Sequence, residues 1–327
     1  MNSQVQINRR LNVFKSKYIY FLDKIGIIVI VLLLCVFFAL MNEQFLDEAN
    51  IMNVFRQTSI NAILAAGMTF VILTGGIDLS VGAIIALTGV VSAYLVANTS
   101  VPAPLAVLSG IMVGGVAGYI NGILTSVTKL PPIMVTLGSM TYLRGIAYVI
   151  TGGYPLVVAN SFFKQIGIGY VGPIPIPVII MIVVYILSHI VLKYTVFGRN
   201  VYMIGGNEEA ARLTGIKVVS RVTWVYTISG ICAGIAGVIL AARMYSGQPN
   251  AGTGYELDAI AAVVLGGTSL VGGVGLVVGS LFGALFMSIL SNGLTLMNVE
   301  YYWQLIIKGI VIILAIYVDH VRRKKTK

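Results

Sequence analysis

One carboxylate stands inside a stretch that would otherwise dissolve in oil: Asp78, within residues 73–82, LTGGIDLSVG. An ionisable group in lipid costs roughly 2.5 to 3.5 kcal/mol on insertion scales, so by default it faces protein or a watery cavity. Gly75, Gly76 and Gly82 flank it and make a continuous helix unexpected there. Broken backbone at membrane depth persists only where protein buries it or where it lines a cavity. Two roles follow for the carboxylate. Asp78 or Ser80 caps the next helix, or Asp78 touches a cargo or a gate. A second glycine-rich stretch, residues 265–275 (LGGTSLVGGVG), joins another pair of apolar segments and loosely echoes the first through Gly266, Gly267, Thr268 and Ser269. Both breaks would let helices approach closely or hinge.

Just upstream of the second break, GTGYELDAIAA places Tyr255, Glu256 and Asp258 at the outer mouth of an apolar run. Acids there could cap the helix start, meet a partner or line the way in. Asn121, Thr136, Asn292 and Gln304 are uncharged polar residues within or near apolar runs. Such groups hydrogen-bond between helices for about 0.6 kcal/mol each, and their functional alternative is a path for a neutral hydroxylated solute. Enzyme chemistry finds no foothold. The two histidines, His189 and His320, stand near a run end and in the tail, with no triad or metal spacing around them. GIGYVG at 167–172 has the form GxGxxG, yet PIPIP follows instead of a helix, so the nucleotide reading fails its context. Cys35 and Cys232 lie in separate apolar runs without CxxC spacing and read as buried packing.

These residues need elements to hold them, and composition names the kind. The chain is 58% hydrophobic and 10% charged, against roughly 25% charged in an ordinary globular domain. Apolar runs of about 17 to 25 residues recur along it, long enough to cross a hydrocarbon core of about 30 Å. An all-α membrane protein is expected, a polytopic bundle of about ten transmembrane helices with some broken at glycine-rich segments. The expected spans are 25–41, 59–73, 80–97, 104–127, 131–150, 175–192, 222–243, 257–270, 276–294 and 301–318. Runs 59–73 and 257–270 are short for full crossings.

The net charge of +10 is a topology signal. Lysines and arginines gather in residues 1–24, in the segment after the sixth run and in residues 319–327, all on one side of an even-numbered bundle. By the positive-inside rule both termini are expected in the cytoplasm, flanking a membrane domain over 25–318. The basic tails lack interleaved aromatics, so a nucleic-acid partner is not expected.

Residues 197–218, FGRNVYMIGGNEEAARLTGIKV, form the one sizeable polar segment between runs, opening with a turn at Gly198. After Gly205 and Gly206, Asn207 is placed to cap a short helix, with Glu208 and Glu209 in its first turn, then Ala210, and Gly215 placed to end it. Arg212 can pair with Glu208 at i, i+4, and Ala211, Leu213 and Ile216 could present an apolar surface. The segment is either a docking element or a solvated connector.

Three separated stretches, GMTFVILTGGIDLSVGAIIALTG, GRNVYMIGGNEEAARLTGI and AGTGYELDAIAAVVLGGTSLVGG, closely resemble the permease subunits of bacterial ABC importers for monosaccharides, the ribose type in particular. The likeness runs from about Gly67 to the end of the last run. It implies a homodimer in the inner membrane, a separate cytoplasmic protein with two ATPase domains, and a periplasmic sugar-binding protein. On that resemblance Arg199 and the 205–215 segment meet the ATPase, ATP and magnesium belong to the partner, and this chain binds no cofactor of its own. Asp78 resembles a signature residue of the family at a helix break. The expected mechanism is alternating access for a neutral sugar, ribose foremost, with xylose, arabinose, allose, galactose, inositol or autoinducer-2 as alternatives. Thr136, Tyr255, Glu256, Asp258 and Asn292 are candidates for the path or its outer mouth. An ion-coupled carrier would need midplane carboxylates, for which Asp78 is the sole candidate, and a passive channel would need no docking segment.

Overall fold

The structure is a computed structural model, and it describes residues 26–324. The basic segment at 1–24, Ile25 and residues 325–327 of the basic tail lie outside the described residues. Helices build it: α1 (Gly26–Met41), α2 (Glu48–Leu73), α3 (Val81–Asn98), α4 (Ala103–Thr128), α5 (Pro132–Thr151), α6 (Ser161–Ile168), α7 (Ile176–Tyr194), α8 (Val196–Gly206), α9 (Glu208–Leu213), α10 (Val218–Arg243), α11 (Tyr255–Leu265), α12 (Val277–Leu296) and α13 (Tyr301–Lys324). Four two-residue strands, β1 (Leu156–Val157), β2 (Tyr170–Val171), β3 (Ile174–Pro175) and β4 (Ser246–Gly247), pair antiparallel as β1 with β4 and β2 with β3.

Each of the ten expected spans coincides with a helix, and seven of the described helices are long and apolar enough to cross a membrane: α3, α4, α5, α7, α10, α12 and α13. The chain is a polytopic helical membrane protein. Two helices differ from expectation in length. The second begins at Glu48 instead of Ser59, because Asp47 in an extended conformation starts a helix whose polar first turns sit outside the apolar run. The eighth, α11, has only 11 residues, about 16 Å at 1.5 Å per residue, too short to span a hydrocarbon core of about 30 Å.

The core is α10, which packs along α2, α3 and α4 and buries Tyr226, Ala233, Ala236 and Ile239. Close approach to it depends on glycine. Gly114, Gly118 and Gly122 of α4, four residues apart, face Gly230, Tyr226 and Thr223 of α10; a Cβ on Gly122 would stand 2.7 Å from the Thr223 Cα. On the opposite flank Gly237 of α10 meets Ile85 of α3, and on α12 Gly283 faces Ala262 of α11. In a membrane, where burial of apolar surface drives little association, such small-residue seams are what bring helices together. Outward faces are apolar, as at Ile186, Leu187, Ile313 and Leu314, and lipid suits them.

Between α10 and α11 the chain does not stay at the rim. Gly247 lies against Val90 and Ala93 of α3, and by Gly252 the backbone has reached the first turn of α3, where a Cβ on Gly252 would stand 2.7 Å from the Gly82 carbonyl oxygen. Gly82 is sixteen residues (98 − 82) from the end of α3 at Asn98, about 24 Å of helix rise. Residues 248–254 therefore dip into the bundle as a re-entrant segment, and α11 starts at depth.

The α4–α10 seam gives a direct check. Gly118→Val puts a branched side chain against the Tyr226 carbonyl, and overpacking of this kind costs about 1 to 3 kcal/mol. The detergent-solubilised variant should melt several degrees lower than the unaltered protein in a thermal-shift measurement.

Candidate functional site

At one end of the bundle α7 turns into α8 and then α9. Thr195 caps α8 by accepting from Gly198 N at 3.1 Å, so Gly198 is the first turn of a helix pressed against the Leu192 carbonyl and not a loop turn. Asn207 Oδ1 accepts from Ala210 N at 2.9 Å and caps α9. Arg212 pairs with Glu208 at 2.7 Å, and Gly215 adopts φ +85° beyond the helix end. Arg199, Gly206, Asn207, Glu208, Glu209, Ala210 and Arg212 are exposed. The apolar surface differs from expectation: Ala211 packs inward with Ile204 and Val218, Ile216 packs beside them, and only Leu213, 85% exposed, faces out.

Gly205, near the end of α8, is turned the other way. A Cβ there would overlap the Leu73 carbonyl at the end of α2 and would stand 2.5 Å from Gly273 N. Gly273 N donates to that same Leu73 carbonyl at 2.9 Å. Gly272, at φ +93°, lies against Gly75 N and Gly205, with Gly75 at φ +80°. The end of α8 and both glycine-rich breaks thus meet backbone to backbone at one junction. Side chains are excluded by space and, at Gly75, Gly272 and Gly273, by a conformation open mainly to glycine. Beside it, Gly266 presses on the Gly279 backbone, Gly267 takes φ +87°, and Thr268 and Ser269 are buried in the turn that leads into α12.

The chain then climbs from Gly75 to the start of α3, and Asp78 lies on that climb, fully buried. Its Oδ1 accepts from Ser80 N at 3.0 Å and Ser80 Oγ at 2.6 Å; its Oδ2 accepts from Ser229 Oγ of α10 at 2.9 Å. Asn121 Nδ2 of α4 donates to Ser80 Oγ at 2.8 Å, and Ser139 of α5 donates to Asn121 Oδ1. Four elements are tied through one carboxylate. Ser80, the residue before α3, makes no capping bond with its side chain, so Asp78 organises the turn. Gly76 leaves room for the Tyr226 hydroxyl, which a Cβ there would meet at 2.5 Å.

The polar residues proposed for a path divide. Thr136 is fully buried and donates to the Ile77 carbonyl at 3.2 Å and the Pro132 carbonyl at 2.9 Å. Asn292 exchanges amide hydrogen bonds with Asn50 at 2.8 and 3.1 Å. Asp258 is bonded to Lys308 of α13 at 2.8 Å. Those three serve helix-to-helix contact. Tyr255, Glu256 and Asp258 stand at the start of α11, which the 248–254 segment brings beside Gly82 in the first turn of α3, at the opposite end of that helix from Asn98. Glu256 accepts from Gly254 N at 3.1 Å through Oε1, while its Oε2, buried beside Gly82, has no hydrogen-bond partner among the described residues.

Residues 50–316 match the protein family described as a branched-chain amino acid transport system / permease component. The chain is 45% identical to the ribose import permease protein of Bacillus subtilis over 95% of its own length and 97% of that protein's. It is 44% identical to the Escherichia coli K12 ribose import permease protein over 90% and 92%, and 38% identical to the D-allose transport system permease protein of the same strain over 93% and 94%. The chain belongs to this permease family. No solved structure matches it. A permease component carries solute, and the absence of catalytic spacing in the sequence agrees with that role.

Sequence reasoning overlooks two charged residues of the permease that the structure makes prominent. Arg144 of α5 donates to the Pro249 and Ala251 carbonyls at 3.0 and 2.6 Å and so pins the re-entrant segment. Lys308 holds α11 through Asp258. Neither lies in a motif; the available signal is simply a charge in an apolar run.

Two substitutions test the junction and the carboxylate. Asp78→Ala strands the Ser80 and Ser229 donors, at about 1 to 3 kcal/mol for each group left unsatisfied. It should lower the melting temperature of the purified permease markedly, whereas Asp78→Asn, similar in shape and still an acceptor, should retain most of it. Gly205→Ala should leave the permease in the membrane but reduce solute uptake by at least tenfold, read by radiolabelled uptake in cells with matched expression.

Proposed function

We propose that this permease is the membrane subunit of an ATP-driven importer of a neutral monosaccharide, ribose foremost, working by alternating access. Substrate class follows from the relatives: ribose import permeases are 43 to 45% identical to it, against 38% for the D-allose protein and 33% for the xylose protein of Haemophilus influenzae. The end of the bundle holding α8 and α9 faces the cytoplasm together with both basic termini, because the lysines and arginines concentrate there. Residues 1–24 and 319–327 are then cytoplasmic segments around a membrane domain at 25–318.

One observation carries the mechanism: Gly205 joins the polar segment at 197–218 to both interruptions of the bundle at a single backbone contact. A separate ATPase with two nucleotide-binding domains docks on Arg199, Gly206–Ala210, Arg212 and Gly215, and its closure displaces α8. Because Gly205 and Gly272 touch without intervening side chains, displacement of α8 cannot be absorbed by rotamer changes and shifts residues 73–80 and 265–275 together. ATP and magnesium are bound by that partner. Two copies of the permease form the membrane unit, and a periplasmic sugar-binding protein delivers solute and selectivity.

Co-reconstitution with the ATPase and the binding protein in liposomes tests the reading. Ribose should stimulate ATP hydrolysis several-fold and accumulate in the lumen, with xylose, arabinose and allose weaker; accumulation by the permease alone would refute it. Leu213→Asp, at an outward position whose loss disturbs no core, should cut co-purification of the ATPase and uptake at least tenfold while the permease keeps its melting temperature.

A further inference from the structure

The bundle end that carries α9 holds a slot of about 730 Å³ between α4 and α10. Its two halves differ in chemistry. Arg212 of α9, Lys217 just before α10, and Ser220 form a polar rim, whereas Tyr119 and Val127 of α4 and Trp224 of α10 form a wall. All three wall residues are exposed. The two helices are joined at this level, with Gly122 against Thr223 and the Ser126 and Thr223 hydroxyls 3.1 Å apart.

The rim carries positive charge that the chain does not neutralise. Lys217 makes no ion pair among the described residues, and Arg212 spends one nitrogen, Nη2, on Glu208 in an exposed pair, which solvent keeps weak. The Lys217 side chain does not cap α10. The Val219 and Ser220 amides that open this helix find no acceptor among the described residues, and free amides at a helix start favour an anion. Trp224 lies six residues (224 − 218) into α10, about 9 Å of rise. Its indole and the Tyr119 phenol suit a membrane–water boundary. Cations at the rim, amphipathic rings beneath them and an aliphatic wall repeat the order of a phospholipid: charged head, glycerol ester, acyl chain.

We infer that this slot binds an anionic phospholipid, its phosphate held by Arg212, Lys217 and the free amides of α10 and its chains lying along Trp224 and Val127. A basic pocket between helices at the cytoplasmic face is suited to acidic head groups. Charge selects among the occupants. A zwitterionic lipid brings its own cation to the same rim, and a nucleotide or acidic peptide leaves the apolar wall uncovered. The bound lipid touches α9, the residue that leads into α10, and α4. It therefore fastens the docking helix to the bundle beside the packing of Ala211 on Val218.

The cytoplasmic placement of this end and the docking role of α9 rest on the import reading, but lipid binding is measured without transport, so the two fail separately. The chain has two tryptophans, Trp224 and Trp303. Trp303→Phe leaves Trp224 as the only indole, and Trp224→Phe leaves Trp303, exposed near the start of α13, as the control. The full chain is placed in bilayer nanodiscs with a fixed fraction of brominated-chain lipid, either phosphatidylglycerol or phosphatidylcholine, and fluorescence quenching is read. Phosphatidylglycerol should bind beside Trp224 roughly fivefold more tightly than phosphatidylcholine, with no preference at Trp303. Arg212→Gln combined with Lys217→Gln should abolish the preference at unchanged melting temperature, and the charge-conserving pair Arg212→Lys and Lys217→Arg should keep it. Equal quenching of Trp224 by both lipids, or a preference that survives the double glutamine substitution, overturns the proposal. Displacement of the lipid by millimolar inorganic phosphate at matched ionic strength also overturns it, by assigning the slot to a free anion. Loss of the preference once the ATPase is bound does so too, by assigning the slot to the protein interface.

Discussion

Inside a membrane bundle, main-chain amides and carbonyls released from a helix have no water to turn to, and this permease answers that constraint by bringing its interruptions together. The carbonyl that α2 leaves free at Leu73 takes its hydrogen from Gly273, in the break between α11 and α12. The contact needs bare backbone on both sides, and Gly205 brings a third chain segment to the same place. What would be a local defect in each helix becomes one shared joint. The segment best exposed to a partner is thereby anchored at the least regular part of the membrane domain.

Asp78 extends that logic upward from the joint. A carboxylate has the acceptor capacity to satisfy a backbone amide and two hydroxyls at once, which no neutral residue of similar size offers. Through Ser80, Ser229, Asn121 and Ser139 it draws α3, α4, α5 and α10 into one polar cluster. Buried polar networks are costly when half satisfied and rigid when complete. Next to it the Tyr226 hydroxyl has no partner among the described residues, so the rigid part of the cluster borders a part that is not fully bonded.

Much of this was legible in residue type and order. Apolar runs located the helices, and Gly75, Gly76, Gly266 and Gly267 located the interruptions, because these signals are local. The capping of α9 by Asn207 was likewise written in consecutive residues. Meetings between distant segments were not: nothing in GRNVYMIGG says that Gly205 faces Leu73 and Gly273, while Ala211 turns inward and Leu213 outward. The meeting of Glu256 with Gly82 was not legible for a physical reason. A stretch rich in glycine and polar residues, SGQPNAGTGYE, has the composition of a surface loop, and only its pairing with α3 shows that it descends. Arg144, which holds it there, is a single charge in an otherwise ordinary apolar helix.

The pairing of Lys308 with Asp258 bears on how the chain is built. α13 is otherwise a helix with a largely lipid-facing surface, and an ammonium at its interior depth, alone in hydrocarbon, would cost roughly 2.5 to 3.5 kcal/mol. Asp258 alone would be penalised in the same way on a half-length helix. Each charge is thus tolerable in its own segment only when the other is beside it, so α11 and α13 are thermodynamically dependent on one another across the intervening α12.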